Sequence, residues 1–266
     1  MHFNTRGLVL REIAYKDRDK LLTVLTPDHG KLTVRARGLG KRGNHLDAAA
    51  QLLVYSDMTL FSYRDYYTLD EANSIRQFWG VKSDLELLAL ASYFAELTEL
   101  VSSEGGGMEG LLSLLLNALH TLETRKRPPA LVKAAFELKL MSLAGYEPLL
   151  NACAVCGAAW PARPMLHLTG GVLHCAACKS KLEAGVSMLL SIDSLSAMRY
   201  VTSGNSKRLF SFTLPPFALR EFEEVCEAYA IVHLEHTFST LDYYKRLKSI
   251  SNIQLKPHLK TGDEHD

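Results

Sequence analysis

Four of the chain's five cysteines fall in one stretch, CAVCGAAWPARPMLHLTGGVLHCAAC, which runs from Cys153 to Cys178. They form two CxxC pairs, Cys153 with Cys156 and Cys175 with Cys178, separated by a spacer of eighteen residues. Each CxxC can turn a tight knuckle that aims two sulfurs at one point. Two knuckles at this spacing supply the tetrahedral thiolate set of a zinc ion. Four thiolates close the coordination sphere and leave no position for a catalytic water, so zinc here is expected to organise a module of about 30 residues that is too small for a core of its own. Two other readings stay open: a thioredoxin-like redox pair, which needs a βαβ context that is missing here, and four buried cysteines without a metal. His167 and His174 lie in the spacer and could substitute as ligands, but four sulfurs suffice, and both are expected on the surface. Cys226 sits among apolar residues at helical spacing and reads as a small core hydrophobe.

Up to about Thr68 the chain alternates apolar and polar residues in short runs with turn residues between them, the pattern of half-buried antiparallel strands. DKLLTVLT and KLTVRARG flank PDHG, whose Pro27, Asp28 and Gly30 predict a hairpin turn. QLLVYSDMTLFSY and YYTLDEA form a second pair around Arg64 and Asp65. Four or five such strands predict a small barrel or sandwich. After Gly80 the period becomes helical. SDLE reads as a capping box, Ser83 with Glu86, ahead of LELLALASYFAELTELV, which is apolar all round and is expected at the centre of a bundle. MEGLLSLLLNALHTLE gives a second helix, Pro128 and Pro129 open a third, and Gly145 is placed to end it. Helical pattern resumes at SIDSLSAMRYVTSG and PFALREFEEVCEAYAIVHLEHTF, so the cysteine module is mounted on a helical domain. The expected division is 1–80 for the barrel, 81–250 for the helices with the zinc module near 150–182, and 251–266 for a polar, disordered tail.

The opening MHFNTRGLVLREIAYK lacks the features of a secretory signal. No apolar run reaches the roughly 18 residues of a membrane span. Both predict a cytoplasmic chain with no membrane partner, in a compartment where paired cysteines serve metals more readily than disulfides. No P-loop, dinucleotide fingerprint, nucleophile elbow or HExxH is present, so nothing argues for an enzyme.

Formal net charge is only +1, and the informative charge is local. Lys31, Arg35, Arg37, Lys41 and Arg42 fall within KLTVRARGLGKR without an acidic residue among them. On a strand, Leu32, Val34 and Ala36 face one way and Lys31, Arg35 and Arg37 the other, a cationic row suited to a phosphate backbone. Phe61, Tyr63, Tyr66 and Tyr67 could stack unpaired bases, or else pack the barrel. A second run, Lys245, Arg246, Lys248, Lys256 and Lys260, could extend the footprint.

With these parts in place, GLVLREIAYKDRDKLLTVLTPDHGKLTVRARGLGK, FELKLMSLAGYEPLLNACAVCG and the second CxxC together resemble the RecO family of bacterial recombination mediators, over nearly the whole chain to about residue 250. The resemblance implies an α+β multidomain protein, an N-terminal OB-fold β-barrel followed by an α-helical bundle domain carrying the four-cysteine zinc module. It implies a non-enzymatic DNA repair and recombination role in the RecF pathway. That role comprises binding single- and double-stranded DNA, annealing complementary strands, and loading recombinase with RecR onto strands coated by single-stranded DNA-binding protein. By position, Lys31, Arg35, Arg37, Lys41 and Arg42 match the family's basic strand and loop. Family members without the cysteines imply that the zinc is structural. The family also implies docking of the acidic C-terminal tail of single-stranded DNA-binding protein on the helical domain, for which chemistry alone nominates Arg127, Lys133 and Lys139. The alternative from another class is a zinc-bearing barrel that binds RNA or serves as a protein-interaction module.

Overall fold

β1 (His2–Tyr15) is long enough to pair twice. Its first half pairs antiparallel with β4 (Tyr55–Tyr63), from His2↔Phe61 to Leu8↔Tyr55. Its second half pairs antiparallel with β2 (Asp19–Thr26), from Leu8↔Leu25 to Tyr15↔Asp19, with a bulge between Val9 and Arg11. β3 (Gly30–Ala36) returns beside β2 through the PDHG turn, and β5 (Tyr66–Arg76) closes the sheet by running parallel to β3 and antiparallel to β4. The result is a closed barrel in the order β1-β2-β3-β5-β4, an OB-fold. This computed structural model describes residues 1–254 apart from 17, 40–45, 65 and 205–207, with side chains described to residue 250. Lys41 and Arg42, Asp65, Lys256 and Lys260 therefore lie outside the described residues.

The alternation of side chains sends Leu22, Val24, Leu32 and Val34 into the barrel with Val9, Met58 and Leu60. Leu8, Leu10 and Leu25 point outward, yet they are as buried as the interior, because helices cover them. Leu53 joins them in one apolar cluster that continues through the helical domain. The unbroken run GLVL thus reflects a strand buried on both faces.

The helical domain is α1 (Trp79–Lys82), α2 (Leu85–Val101), α3 (Glu109–Thr124), α4 (Pro129–Leu143), α5 (Ile192–Ser203), α6 (Pro216–Leu234) and α7 (Ser239–Gln254). α2 is capped by Asp84, whose carboxylate accepts from the amides of Glu86 and Leu87, and not by Ser83, which ends α1. The expected box is displaced by one residue because the carboxylate of Asp84 reaches the orphan donors itself. α4 starts at Pro129 as expected and ends in a Schellman turn: Gly145 at φ +91 donates to Ser142 O and Tyr146 to Met141 O. The polar run near residue 245 is helical, held by Leu241 and Tyr244 at a spacing of three.

After α2, Ser103–Met108 lie against the β2–β3 hairpin. Lys31 N donates to Ser103 O at 3.0 Å, Gly105 N to His29 O at 3.2 Å and Met108 N to Pro27 O at 2.9 Å. Gly30, at φ +69, permits this approach, since a Cβ there would stand 2.5 Å from Ser103 O. Between α4 and α5 the cysteine module contains a small antiparallel sheet, β6 (Pro164–His167), β7 (Val172–Cys175) and β8 (Ser187–Leu189), ordered β7-β6-β8. Strands of three or four residues are too short to carry a readable period.

Inside the bundle, Lys133 on α4 is fully buried. Its ammonium lies 2.8 Å from Glu137 Oε1 and 2.8 Å from Glu227 Oε2 on α6, and Tyr93 donates to the same Glu137 oxygen. Burial pushes the Glu137 carboxyl up to about 7 despite Lys133 beside it. Burial alone would also raise Glu227, but Lys133 and Lys245 outweigh it and hold that group below its usual value. Removing Lys133 with alanine should leave buried carboxylate uncompensated and cost about 3–5 kcal/mol, a fall in melting temperature on the order of 10 °C by calorimetry. Because Glu137 titrates higher folded than unfolded, its contribution is full below pH 4.5 and is lost as pH rises through about 7. Glu137→Gln should therefore flatten that part of the stability profile, read by urea unfolding at about pH 5 and about pH 8, on either side of that titration; an unchanged slope would place the titration elsewhere.

Candidate metal centre and nucleic-acid interface

The sulfurs of Cys153, Cys156, Cys175 and Cys178 all lie within 4.8 Å of one another. A tetrahedral zinc with bonds of about 2.3 Å would set neighbouring sulfurs about 3.8 Å apart. Cys156 Sγ and Cys175 Sγ are already 3.5 Å apart. The first knuckle is closed by Gly157 N donating to Cys153 O at 2.9 Å, with Gly157 at φ +75. Burial alone would raise the Cys153 thiol, but amides of Cys156, Cys175 and Val155 point at its sulfur and bring it down to about 6. Cys175 is pushed up to about 12, first by its hydrogen bond with Cys156 and then by burial. Four thiols this close cannot all ionise against one another, and a dication removes that conflict. The donor set and its spacing fit a thiophilic, four-coordinate ion.

The two histidines of the spacer are not on the surface. His174 is fully buried: Nδ1 donates to Cys175 O at 2.9 Å and Nε2 accepts from Ser187 Oγ at 3.0 Å, which ties β7 to β8. His167 is also buried and accepts from Gly170 N at 3.0 Å. Both sit on strands of the small sheet, whose brevity around Gly170 and Gly171 concealed which side chains would be covered. Cys226 is buried as expected, and burial pushes its thiol well up.

On the barrel, cross-strand partners Leu21↔Arg35, Thr23↔Thr33 and Leu25↔Lys31 share the outer face. The cationic row occupies that face, but its members have different neighbours. Lys31 is drawn to the helical domain, where Nζ donates to Glu99 O at 2.8 Å at the end of α2. Arg35 is held by Asp19, with Nε and Nη2 on one carboxylate oxygen at 2.8 and 2.6 Å. The Gly38 amide first, and then Arg35, hold the Asp19 carboxyl below its usual value. Arg37 is exposed and makes no ion pair among the described residues. The open end of the face is therefore Arg35 and Arg37, while Lys31 belongs to the junction.

Tyr66 and Tyr63 are 75% and 60% exposed and face each other across the β4–β5 hairpin, with Arg64 at 5.3 Å from the Tyr63 ring. Tyr67 instead turns to the barrel interior against Phe3, and Phe61 leans on His2. Tyr15, which no sequence pattern singled out, stands at the end of β1 with Arg35 at 5.4 Å and Lys16 at 5.3 Å from its ring. Lys16 and Arg18 are exposed in the same hairpin. The alternating charges of YKDRDK hid this tip from a search for acid-free clusters.

Of the three tail candidates, Lys133 is corrected outright: it is buried between two carboxylates and can rim no surface pocket. Lys139 donates to Thr202 O at 2.9 Å. Arg127 donates to Phe210 O at 2.8 Å and lines a cavity of about 440 Å³ with Lys126, Leu87, Leu122, Pro128 and Glu86, where Arg125 is paired with Asp84 at 2.8 Å. In the second basic run, Lys245 pairs with Glu227 and Lys248 with Glu223. Among the described residues, no helix is long and apolar enough to cross a membrane.

Comparison with known proteins matches residues 1–78 to the family model Recombination protein O N terminal and residues 82–242 to Recombination protein O C terminal. The DNA repair protein RecO of Acetivibrio thermocellus is 30% identical over 250 residues, covering 94% of this chain and 98% of the relative. That of Symbiobacterium thermophilum is 31% identical over 251 residues, covering 93% and 98%. A third, from Desulforudis audaxviator, is 36% identical over 181 residues, covering 67% and 71%.

Proposed function

The chain belongs to the RecO family of DNA repair proteins, and we propose that it acts there by binding rather than by turnover. In this reading it holds single- and double-stranded DNA on the open end of the barrel face and anneals complementary strands. With RecR, it loads recombinase onto strands coated by single-stranded DNA-binding protein. The observation that carries the reading is the pair Arg35 and Arg37 at the open end of the face, with Tyr15 at 5.4 Å from Arg35 and a second exposed aromatic pair, Tyr63 and Tyr66, at the tip of the β4–β5 hairpin. Cations that meet phosphates cancel strand repulsion without reading sequence, and exposed rings offer stacking to unpaired bases. Lys41 and Arg42 follow directly along the chain and extend the same basic segment.

The cysteine centre holds a structural zinc, since its four sulfurs leave no site for substrate and its module lies on the helical domain. The tail of single-stranded DNA-binding protein docks at the cavity beside Arg127. Its carboxylates meet Lys126 and Arg127, and its apolar end meets Leu87, Leu122 and Pro128. A protein that works on chromosomal DNA belongs in the cytoplasm with the nucleoid.

Arg37→Ala should weaken oligonucleotide binding uniformly across sequences and make the salt slope shallower by about one, while Arg35→Ala, whose charge Asp19 offsets, should lose less. Lys31→Ala should leave the slope unchanged and lower the melting temperature. These are fluorescence titrations at several salt concentrations, and equal slopes for wild type and Arg37→Ala would remove DNA from this face. Preference for structured RNA, with no annealing of labelled complementary strands, would favour the RNA-binding alternative instead. For the metal, elemental analysis should find one zinc per chain, lost in Cys175→Ser with a lower melting temperature but with DNA affinity kept in the folded fraction. For the tail, Lys126→Glu with Arg127→Glu should abolish binding of an acidic tail peptide in anisotropy assays and leave DNA binding intact.

A further inference from the structure

Arg199 projects from α5 onto the segment that carries the first CxxC pair. Its Nε donates to Leu150 O at 2.8 Å, and its Nη2 donates to Asn151 O at 3.0 Å and to Ala159 O at 2.5 Å. The guanidinium also lies 4.1 Å from the centre of the Trp160 ring. These contacts bracket the loop in which Cys153 and Cys156 stand, one set before the knuckle and one after it. The opposite side of the segment is tied to β7: Leu149 N donates to Gly171 O, Leu173 N to Leu149 O, and Ala154 N to Leu173 O. β7 ends at Cys175, so one side of the loop is fixed to the second pair and the other to the helical domain.

The chemistry of the contact is specific. Arg199 makes no ion pair with a carboxylate among the described residues; its donors go to backbone carbonyls. Trp160 is 56% exposed, so its ring is not held by a core, and the cation is what it rests on. A planar guanidinium can address several acceptors and stack at once, whereas an ammonium is a single point of contact.

We propose that Arg199 is the positioning residue of the metal centre: it joins the two ends of the first knuckle so that Cys153 and Cys156 present their sulfurs together, before the ion arrives. The inference rests on the zinc reading of the four cysteines. Without Arg199, the order of the loop ends must come from metal binding itself, which lowers affinity and speeds release. Residues that orient ligands from outside the coordination sphere commonly change metal affinity by about 10- to 100-fold.

The test uses the full chain loaded with zinc, in wild type, Arg199→Ala, Arg199→Lys and Trp160→Leu. Release is followed with a chromophoric chelator, site geometry by the absorption of the Co²⁺ form, and melting temperature is recorded with excess zinc and with chelator. Arg199→Ala should release zinc about tenfold faster or more. Arg199→Lys should fall between it and wild type, and Trp160→Leu should show a smaller effect of the same sign. The Co²⁺ form should stay tetrahedral but require more cobalt to fill, and the loss in melting temperature should shrink in excess zinc. If Arg199→Ala fails to fold, Arg199→Lys and Trp160→Leu carry the comparison. Unchanged release in those variants, with equal loss of melting temperature in zinc and in chelator, would make Arg199 only a packing residue of α5. Wild-type protein that takes up neither zinc nor Co²⁺ would overturn the metal reading and this inference together.

Discussion

Burial of the middle of β1 on both faces, from Gly7 to Leu10, is the constraint from which the rest of the molecule follows. Val9 closes the inside of the barrel while Leu8 and Leu10, on either side of it, enter the apolar cluster of the helices. A barrel of this size has little apolar surface of its own, and sharing a strand between two cores couples its folding to that of the bundle. The coupling also decides how much of the outer face stays open. At the end where Leu25 meets Lys31, the chain after α2 lies on the hairpin; at the end where Leu21 meets Arg35, Arg35 keeps part of its surface exposed and Arg37 is exposed.

Electrostatics divide the cations of this protein into two kinds. Lys133, Lys245 and Lys248 join carboxylates between α4, α6 and α7, and Arg11 and Lys31 hold the junction with α2 at Glu99. Arg37, Lys16 and Arg18 remain exposed. A polyanion exchanges its counterions only for charges of the second kind, so the count of basic residues in a segment overstates its footprint. The pairing of Arg35 with Asp19 is intermediate: the carboxylate orients the guanidinium and reduces its net charge, while the side chain keeps about a third of its surface exposed.

The cysteine module follows a different logic. It contributes Leu166 and Leu173 to the main core, and its small sheet is pinned by His174 between Cys175 and Ser187. One of its two knuckles follows directly from a strand, with Cys175 ending β7 and Cys178 in the 3-10 turn after it. The other is a loop that needs external ties, which β7 and Arg199 supply.

How much of this the sequence disclosed depends on the range of the interaction involved. Local rules sufficed for the CxxC spacing, the PDHG hairpin, the proline start and glycine end of α4, and the inward set of Leu32 and Val34 on β3. Each of these is decided by residues a few positions apart, through backbone dihedrals or side-chain alternation. Tertiary structure alone decided which charges are free. Asp19 finds Arg35 across a hairpin, Glu99 takes Arg11 and draws in Lys31 from another domain, and Glu227 reaches Lys133 across two helices, so a basic residue nominated for a surface pocket is buried instead. The same holds for Tyr15, whose place beside Arg35 comes from strand register, and for Arg199, whose carbonyl partners lie some forty or more positions away. Pattern in a sequence fixes which face a side chain takes; what stands opposite that face is set only when the elements pack.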